Sequence, residues 1–188
     1  MMAGPPPEFD RSPGGVLSGT EIRQRAAGNP PLVSGAPMLE GQIQPNGLDL
    51  TVREVSRFTG PGRVAVSNSD RQLPELESLP FDSHGDLHLA PGPYHIVFNE
   101  VVHLPLDIMA LGRPRSSLAR CGVAIHTAVW DAGYHGRSTS LLVVANPAGF
   151  RVSRDARVLQ LVFLTLNRAA AEGYQGAYQG ENLARPEK

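Results

Sequence analysis

Gly112–Phe163 reads GRPRSSLARCGVAIHTAVWDAGYHGRSTSLLVVANPAGFRVSRDARVLQLVF, and this stretch decides the fold. Val123–Trp130, Ser140–Asn146 and a run from Val158 that continues to Leu166 are apolar, rich in Val and Leu, and separated by Gly, Pro and Asn. Such short runs predict strands. No strand–helix alternation of the parallel α/β kind accompanies them. The same stretch carries a basic, hydroxyl-rich turn (Arg115, Ser116, Ser117), a lone carboxylate (Asp131) near an aromatic (Tyr134), and an amide (Gln160) on an apolar strand. Between Arg137 and Asn146 it has neither Asp nor Glu.

Working outward, more turn-bounded strands follow. Gln42–Val52 alternates around Asn46-Gly47, Arg63–Ser67 alternates briefly, and Leu87–Phe98 holds two strands on either side of Pro91-Gly92. Leu104–Leu111 has apolar residues at helical spacing and predicts a short internal helix. An earlier helix starts with Ser18 or Thr20 as its N-cap and stops at Asn29-Pro30-Pro31, because proline cannot continue the hydrogen-bond ladder. With 20 Gly and 17 Pro in 188 residues, the chain favours short strands and frequent turns. The expected architecture is all-β, a distorted jelly-roll barrel with one or two short helices.

Residues 1–14 are Pro/Gly-rich with almost nothing to bury and predict a disordered tail. Residues 15–167 form the barrel domain, and 168–188 form a polar arm containing a Tyr-Gln-Gly repeat, which either hangs free or folds over something. A net charge of −1 argues against a nucleic-acid binder while allowing a local basic pocket. No apolar run approaches the ~20 residues of a membrane span. The N-terminus lacks a secretory signal, so a soluble cytoplasmic protein is expected. The single cysteine, Cys121, forms no disulfide framework and is read as buried and inert.

Each polar residue has a structural reading and a chemical one. Arg115-Ser116-Ser117 is either a solvated turn or cap, or an anion cradle of guanidinium, hydroxyl and turn N–H donors. Asp131, before Ala132-Gly133, is either an Asx-turn residue or a general base. Tyr134 is either core or a flat wall against a sugar. Gln160 needs partners for its amide, from the protein or from a ligand. His84 and His88 have helical metal-ligand spacing, but Gly85 and the surrounding turn signals predict a surface hairpin instead. His126 and His135 flank the site with no role assigned, and Glu100 is read as a buried structural carboxylate.

In this order the motifs resemble the trimeric dUTPase and dCTP deaminase superfamily, over about Leu17 to Leu183. The likeness rests on Leu17-Ser18…Glu21-Ile22, Gln44–Leu50 (QPNGLDL), Leu89–Gly92 (LAPG) and Glu100-Val-Val…Leu104-Pro105. It continues through Arg115–Gly122 (RSSLARCG), Asp131–Gly136 (DAGYHG) and Arg157–Leu161 (RVLQL). The resemblance implies a homotrimer with active sites between subunits, and Mg²⁺ held mainly by the triphosphate. It implies that Arg115, Ser116, Ser117, Arg120 and Gln160 bind phosphates, that Asp131 activates water, and that Tyr134 packs on deoxyribose. A hairpin over Ile125–Tyr134 would read the base, largely through main-chain groups. The arm, through Tyr174, Tyr178 and Gln179, would close over the nucleotide.

The deaminase branch of this superfamily carries a Glu on the strand after the hairpin glycine; here that position falls at or beside Leu141, and no slip of a few residues recovers a Glu. An alkyl group carries no proton, so the resemblance implies dUTP diphosphatase activity rather than deamination. A dCTP deaminase, a bifunctional enzyme and a non-catalytic nucleotide-binding protein are the alternatives. The arm resembles the deaminase arm and lacks the Gly-rich, Phe-containing motif of ordinary dUTPases. Within it Ala177 stands where a basic residue is common.

Overall fold

The computed structural model describes residues 15–183, so the expected disorder of 1–14 lies outside the described residues. In chain order the elements are α1 (Gly19–Ala26), β1 (Val33–Ser34), α2 (Leu39–Gln42), β2 (Ile43–Gln44), β3 (Gly47–Phe58), β4 (Leu76–Leu79), β5 (Asp86–Leu89), β6 (Gly92–Phe98) and β7 (Val101–His103). They continue with β8 (Ile108–Pro114), α3 (Ser116–Arg120), β9 (Val123–His126), β10 (Val129–Trp130), β11 (His135–Gly136), β12 (Thr139–Val144), β13 (Phe150–Ser153) and β14 (Arg157–Thr165).

The main sheet runs β10-β8-β14-β3-β6-β12-β9, and all of these pairings are antiparallel. Its two outermost strands, β10 and β9, are consecutive in the chain, joined only by Thr127 and Ala128. A connection that short can link opposite edges only if the sheet curls until they meet, which is the expected jelly-roll curvature. The interior is filled from β3, β6, β8, β12 and β14 by Leu48, Leu50, Ile96, Phe98, Ile108, Ala110, Leu142, Leu159, Leu161 and Phe163, all essentially inaccessible.

Ser18 is the N-cap of α1. Its hydroxyl accepts from the Glu21 N–H, and the Glu21 carboxylate accepts from the Ser18 N–H at 2.8 Å, a complete capping box. The first half of β3 is buried on both faces, which places polar side chains inside. Glu100, fully buried as expected, satisfies them. It accepts from Gln42 Nε2 at 2.7 Å, the Thr51 N–H at 2.9 Å and Thr51 Oγ1 at 2.6 Å.

Several expectations are corrected. Leu104–Leu111 is no helix: Pro105 opens a turn, and from Ile108 burial alternates with period two, so the segment becomes β8. The short internal helices are α2 and α3 instead. Arg63–Ser67 is not a strand. Only Arg63 bridges, to Gln72, and Val64 and Val66 stand 92% and 110% exposed, because alternation without a surface to cover organises nothing. Val123–Trp130 is two strands on opposite sheet edges rather than one. The two strands expected around Pro91-Gly92 do form, β5 pairing with β13 and β6 lying between β3 and β12. Cys121 is exposed, not buried, because it ends α3 on the surface.

Candidate functional site

Two groups of predicted residues form on this chain, and they lie apart. The first is built on the end of β8. Asp49 of β3, Gln160 of β14 and Arg113 of β8 stand in one row across three adjacent strands. Asp49 is 1% exposed, and it survives burial by pairing with cations. Arg115 Nη1 lies 2.5 Å from its Oδ2 and Arg157 Nη1 3.6 Å from the same atom. Burial raises the Asp49 pKa, and the Arg115 and Arg157 charges oppose that rise.

Arg115 also N-caps α3, so Ser116 and Ser117 open that helix with their side chains toward the surface. Leu118 anchors the helix to the core. Gly122, at φ 72°, then turns the chain back against Asn146, in the left-handed conformation that closes a helix C-terminus. Arg120 folds back, donating from Nη1 to the Ser116 carbonyl at 2.9 Å. The result is a rigid surface of Arg113, Arg115, Arg120 and Arg157 guanidiniums, serine hydroxyls and an amide, suited to a polyanion.

The second group is a cavity of about 290 Å³ lined by Ala128, Val129, Trp130, Asp131, Tyr134, Ser138, Thr139, Tyr174, Tyr178 and Glu181. Among the described residues no cation lines it. Its walls are aromatic, and Tyr134 and Tyr174 meet edge to face at 5.9 Å. Asp131 is exposed. Its turn is made by the main chain, with the Tyr134 N–H donating to the Asp131 carbonyl at 3.1 Å. Among the described residues nothing bonds to its carboxylate, so the Asx-turn reading does not hold. Tyr134 is 5% exposed. Its hydroxyl donates to Glu181 Oε1 at 2.8 Å, and burial followed by the Glu181 charge pushes its pKa well above the usual phenol value.

The arm makes this cavity. The Tyr174 N–H donates to the Ala132 carbonyl at 2.8 Å, and the Gly180 N–H donates to the His135 carbonyl at 2.7 Å. The Gln179 amide spans the turn: Oε1 accepts from the His135 N–H at 3.0 Å and Nε2 donates to the Gly133 carbonyl at 3.0 Å. Gly133, at φ 82°, has no side chain, and the Gly173 backbone lies directly against it, where any Cβ would collide. The arm therefore does not hang free.

Asp131 follows Trp130, whose partner Ala110 also pairs with Phe163, so Asp131 lies at the level of Leu164. The interval from Leu164 back to Gln160 is about 13 Å along the sheet, and two strand spacings add about 10 Å laterally. The basic surface and the cavity are thus separate on one chain. The expected Ile125–Tyr134 hairpin does not form a ladder. β9 and β10 diverge to opposite edges, and the bend at Thr127-Ala128 passes by the cavity. Leu141 sits mid-strand between His126 and His95 and does not line the cavity. His84 lies in a tight turn, where its N–H donates to Asp82 Oδ1 at 2.9 Å. His135 stacks on His103 at 4.8 Å.

Sequence reasoning missed Glu181, Trp130, Ser138 and Thr139. Asp49, between fold and site in its sequence signal, anchors Arg115. Among the described residues no three His, Cys, Asp or Glu side chains converge to hold a metal ion. These residues therefore offer no protein cage for Mg²⁺. Among the described residues no helix is long and apolar enough to cross a membrane.

The sequence pattern of the dCTP deaminase-like family matches residues 16–166. The chain is 50% identical over 167 residues to a Methanosarcina mazei protein named "Probable deoxyuridine 5'-triphosphate nucleotidohydrolase", covering 89% of this chain and 98% of that protein. It is 51% identical over 168 residues to an Archaeoglobus fulgidus protein of the same name, with the same coverage. Among solved structures, the 2'-deoxycytidine 5'-triphosphate deaminase of Agrobacterium tumefaciens superposes with a TM-score of 0.61 at 21% identity. That match covers 81% of this chain and 48% of the other, and it supports the fold.

Proposed function

The chain belongs to the dCTP deaminase-like family, and from that premise we propose that it is a dUTP diphosphatase, hydrolysing dUTP to dUMP and pyrophosphate. One observation carries the choice of reaction: among the described residues, Asp131 is an unpaired carboxylate in an aromatic cavity with no cation in its lining; the resemblance adds that the deaminase carboxylate's position falls at or beside Leu141. The relatives at about half identity, named for dUTP hydrolysis, support the same choice.

The nucleoside enters the cavity, with Tyr134 against the deoxyribose, Tyr174 and Tyr178 closing from the arm, and main chain near Ala128 facing the base. Gln179 acts by holding the arm in place. The triphosphate lies on Arg115, Ser116, Ser117, Arg120 and Gln160. Because a single copy keeps these groups apart, the complete site forms where the cavity of one copy meets the basic surface of the next, in a homotrimer with three equivalent sites. A divalent ion such as Mg²⁺, bound with the triphosphate beside Arg115, Ser116, Ser117, Arg120 and Gln160, would offset its charge.

Asp131 accepts a proton from water. The water oxygen bonds to the α-phosphorus, and the bond from that phosphorus to the β-bridging oxygen breaks, releasing pyrophosphate. A placed general base contributes ~10²–10⁴-fold. Asp131→Asn is therefore expected to lose at least about a hundredfold in kcat while still binding dUTP. Retained hydrolysis would remove Asp131 from this role.

A further inference from the structure

The cavity holds a second carboxylate, contributed by the arm. Glu181 is half-buried among Tyr134, Ser138, Tyr174 and Tyr178. Its position is fixed by main chain on both sides. Its N–H donates to the Tyr178 carbonyl at 3.2 Å and its carbonyl accepts from the Arg137 N–H at 3.0 Å, while Asn182 Nδ2 donates to the Arg137 carbonyl at 2.9 Å. These bonds fix the main chain, and the Tyr134 hydroxyl holds the side chain in the cavity. Oε1 takes the Tyr134 hydroxyl at 2.8 Å, and Oε2 has no partner among the described residues.

A carboxylate removed from water is stabilised only when its remaining lone pairs receive donors. Burial raises the Glu181 pKa, and the Tyr134 bond only partly opposes the rise. The cavity itself supplies no cation among the described residues. At the free Glu181 oxygen, with no cation in the cavity lining, an uncharged group that donates a hydrogen bond is favoured.

We propose that Glu181 is a substrate-binding residue whose free oxygen accepts a hydrogen bond from the nucleoside, tying the seated nucleoside to the arm. This rests on the dUTP reading, which supplies two such donors: the 3′-hydroxyl of the sugar and the imide N–H of the base. The phenol of Tyr134 completes the chain from ligand to core. The bond is made to the nucleoside end, so it governs affinity and leaves the phosphoanhydride chemistry to Asp131.

The test is a binding cycle with dUMP, its 2′,3′-dideoxy analogue and its N3-methyl analogue, measured on the wild-type protein and on Glu181→Gln. Trp130, the only tryptophan of the chain, lines the cavity and reports occupancy by fluorescence. Product-state ligands do not turn over, so the result stands apart from whether dUTP is hydrolysed, which pyrophosphate release measures separately.

A bond to a charged acceptor predicts that one analogue binds wild type ~10- to 100-fold more weakly than dUMP. Glu181→Gln should then show a similar loss on dUMP and little further loss on that analogue. The dideoxy compound as the sensitive one places the bond on the sugar, and the N3-methyl compound places it on the base. The proposal is overturned if wild type binds all three ligands alike, or if the losses simply multiply. It is equally overturned if ammonia released from dCTP disappears in Glu181→Gln, because Glu181 would then be a proton shuttle.

Discussion

The two halves of the candidate site, one proposed to hold phosphates and the other proposed to hold the nucleoside, are built by opposite strategies. The phosphate half is part of the barrel. Asp49, Gln160 and Arg113 are locked in register across β3, β14 and β8, and a buried carboxylate orients Arg115. The nucleoside half is a clasp: a turn at Asp131–Gly136 held by hydrogen bonds from an arm more than thirty residues downstream. A polyanion needs cations fixed at set spacings, and a ladder provides that rigidity. A nucleoside must enter, be covered and leave, and an arm tied by a handful of exposed hydrogen bonds can open at modest cost.

The largest effect should come from separating the halves genetically. Asp131→Asn lacks the proposed base of the cavity, and a Ser116→Ala, Arg120→Ala double variant lacks a working phosphate surface. Each alone should be nearly inactive. Denatured together at equal amounts and refolded, they should recover about a quarter of wild-type activity, since random trimers pair an intact cavity with an intact phosphate surface at one site in four. No recovery on mixing would mean that both halves of a site come from the same chain.

A smaller effect probes the rigidity of the phosphate half. Glu100→Gln replaces an acceptor of three bonds with a group that must turn donors toward donors. It should lower stability by about 1–3 kcal/mol. At about 2–4 °C of Tm per kcal/mol for a chain of this size, a drop of several degrees is expected, with kcat little changed at about 25 °C. An unchanged Tm would show that the network around β3 is not a scaffold.

The smallest effect concerns the clasp. Burial, with the neighbouring His135 charge second, lowers the pKa of His103. A base whose pKa is depressed on folding binds more protons when unfolded. Its contribution to stability is present above the unfolded value of ~6.5 and is lost as pH falls through the folded value. Tm should therefore fall between about pH 7 and pH 5.5, and fall less in His103→Gln, because β7 and β11 pair at His103 and His135. Parallel pH profiles would remove the histidine pair from the account.

What can be read in the chain follows from how local each signal is. Asp131-Ala-Gly-Tyr134 and Arg115-Ser-Ser are contiguous, so they stand out in the residues as candidates, while their proposed roles come from the resemblance; the all-β class is legible in the spacing of turns. Glu181 gives no such signal, because its partner Tyr134 is 47 residues away and no pattern links them. The break between β9 and β10 is hidden in an unbroken apolar run, since composition does not record which strand a residue pairs with. Leu104–Leu111 misleads for a related reason: short apolar runs fit both periods, and Pro105 with pairing to β14 and β10 decides for strand.

The proposal that this barrel hydrolyses a phosphoanhydride and does not deaminate cytosine rests on Asp131 as the base and on an alkyl group, Leu141, at or beside the place where the resemblance puts the deaminase carboxylate. It is tested most directly by measuring pyrophosphate and ammonia side by side from dUTP and dCTP. The account predicts pyrophosphate from dUTP and no sustained ammonia from dCTP. Ammonia released from dCTP at a rate matching pyrophosphate release would contradict it.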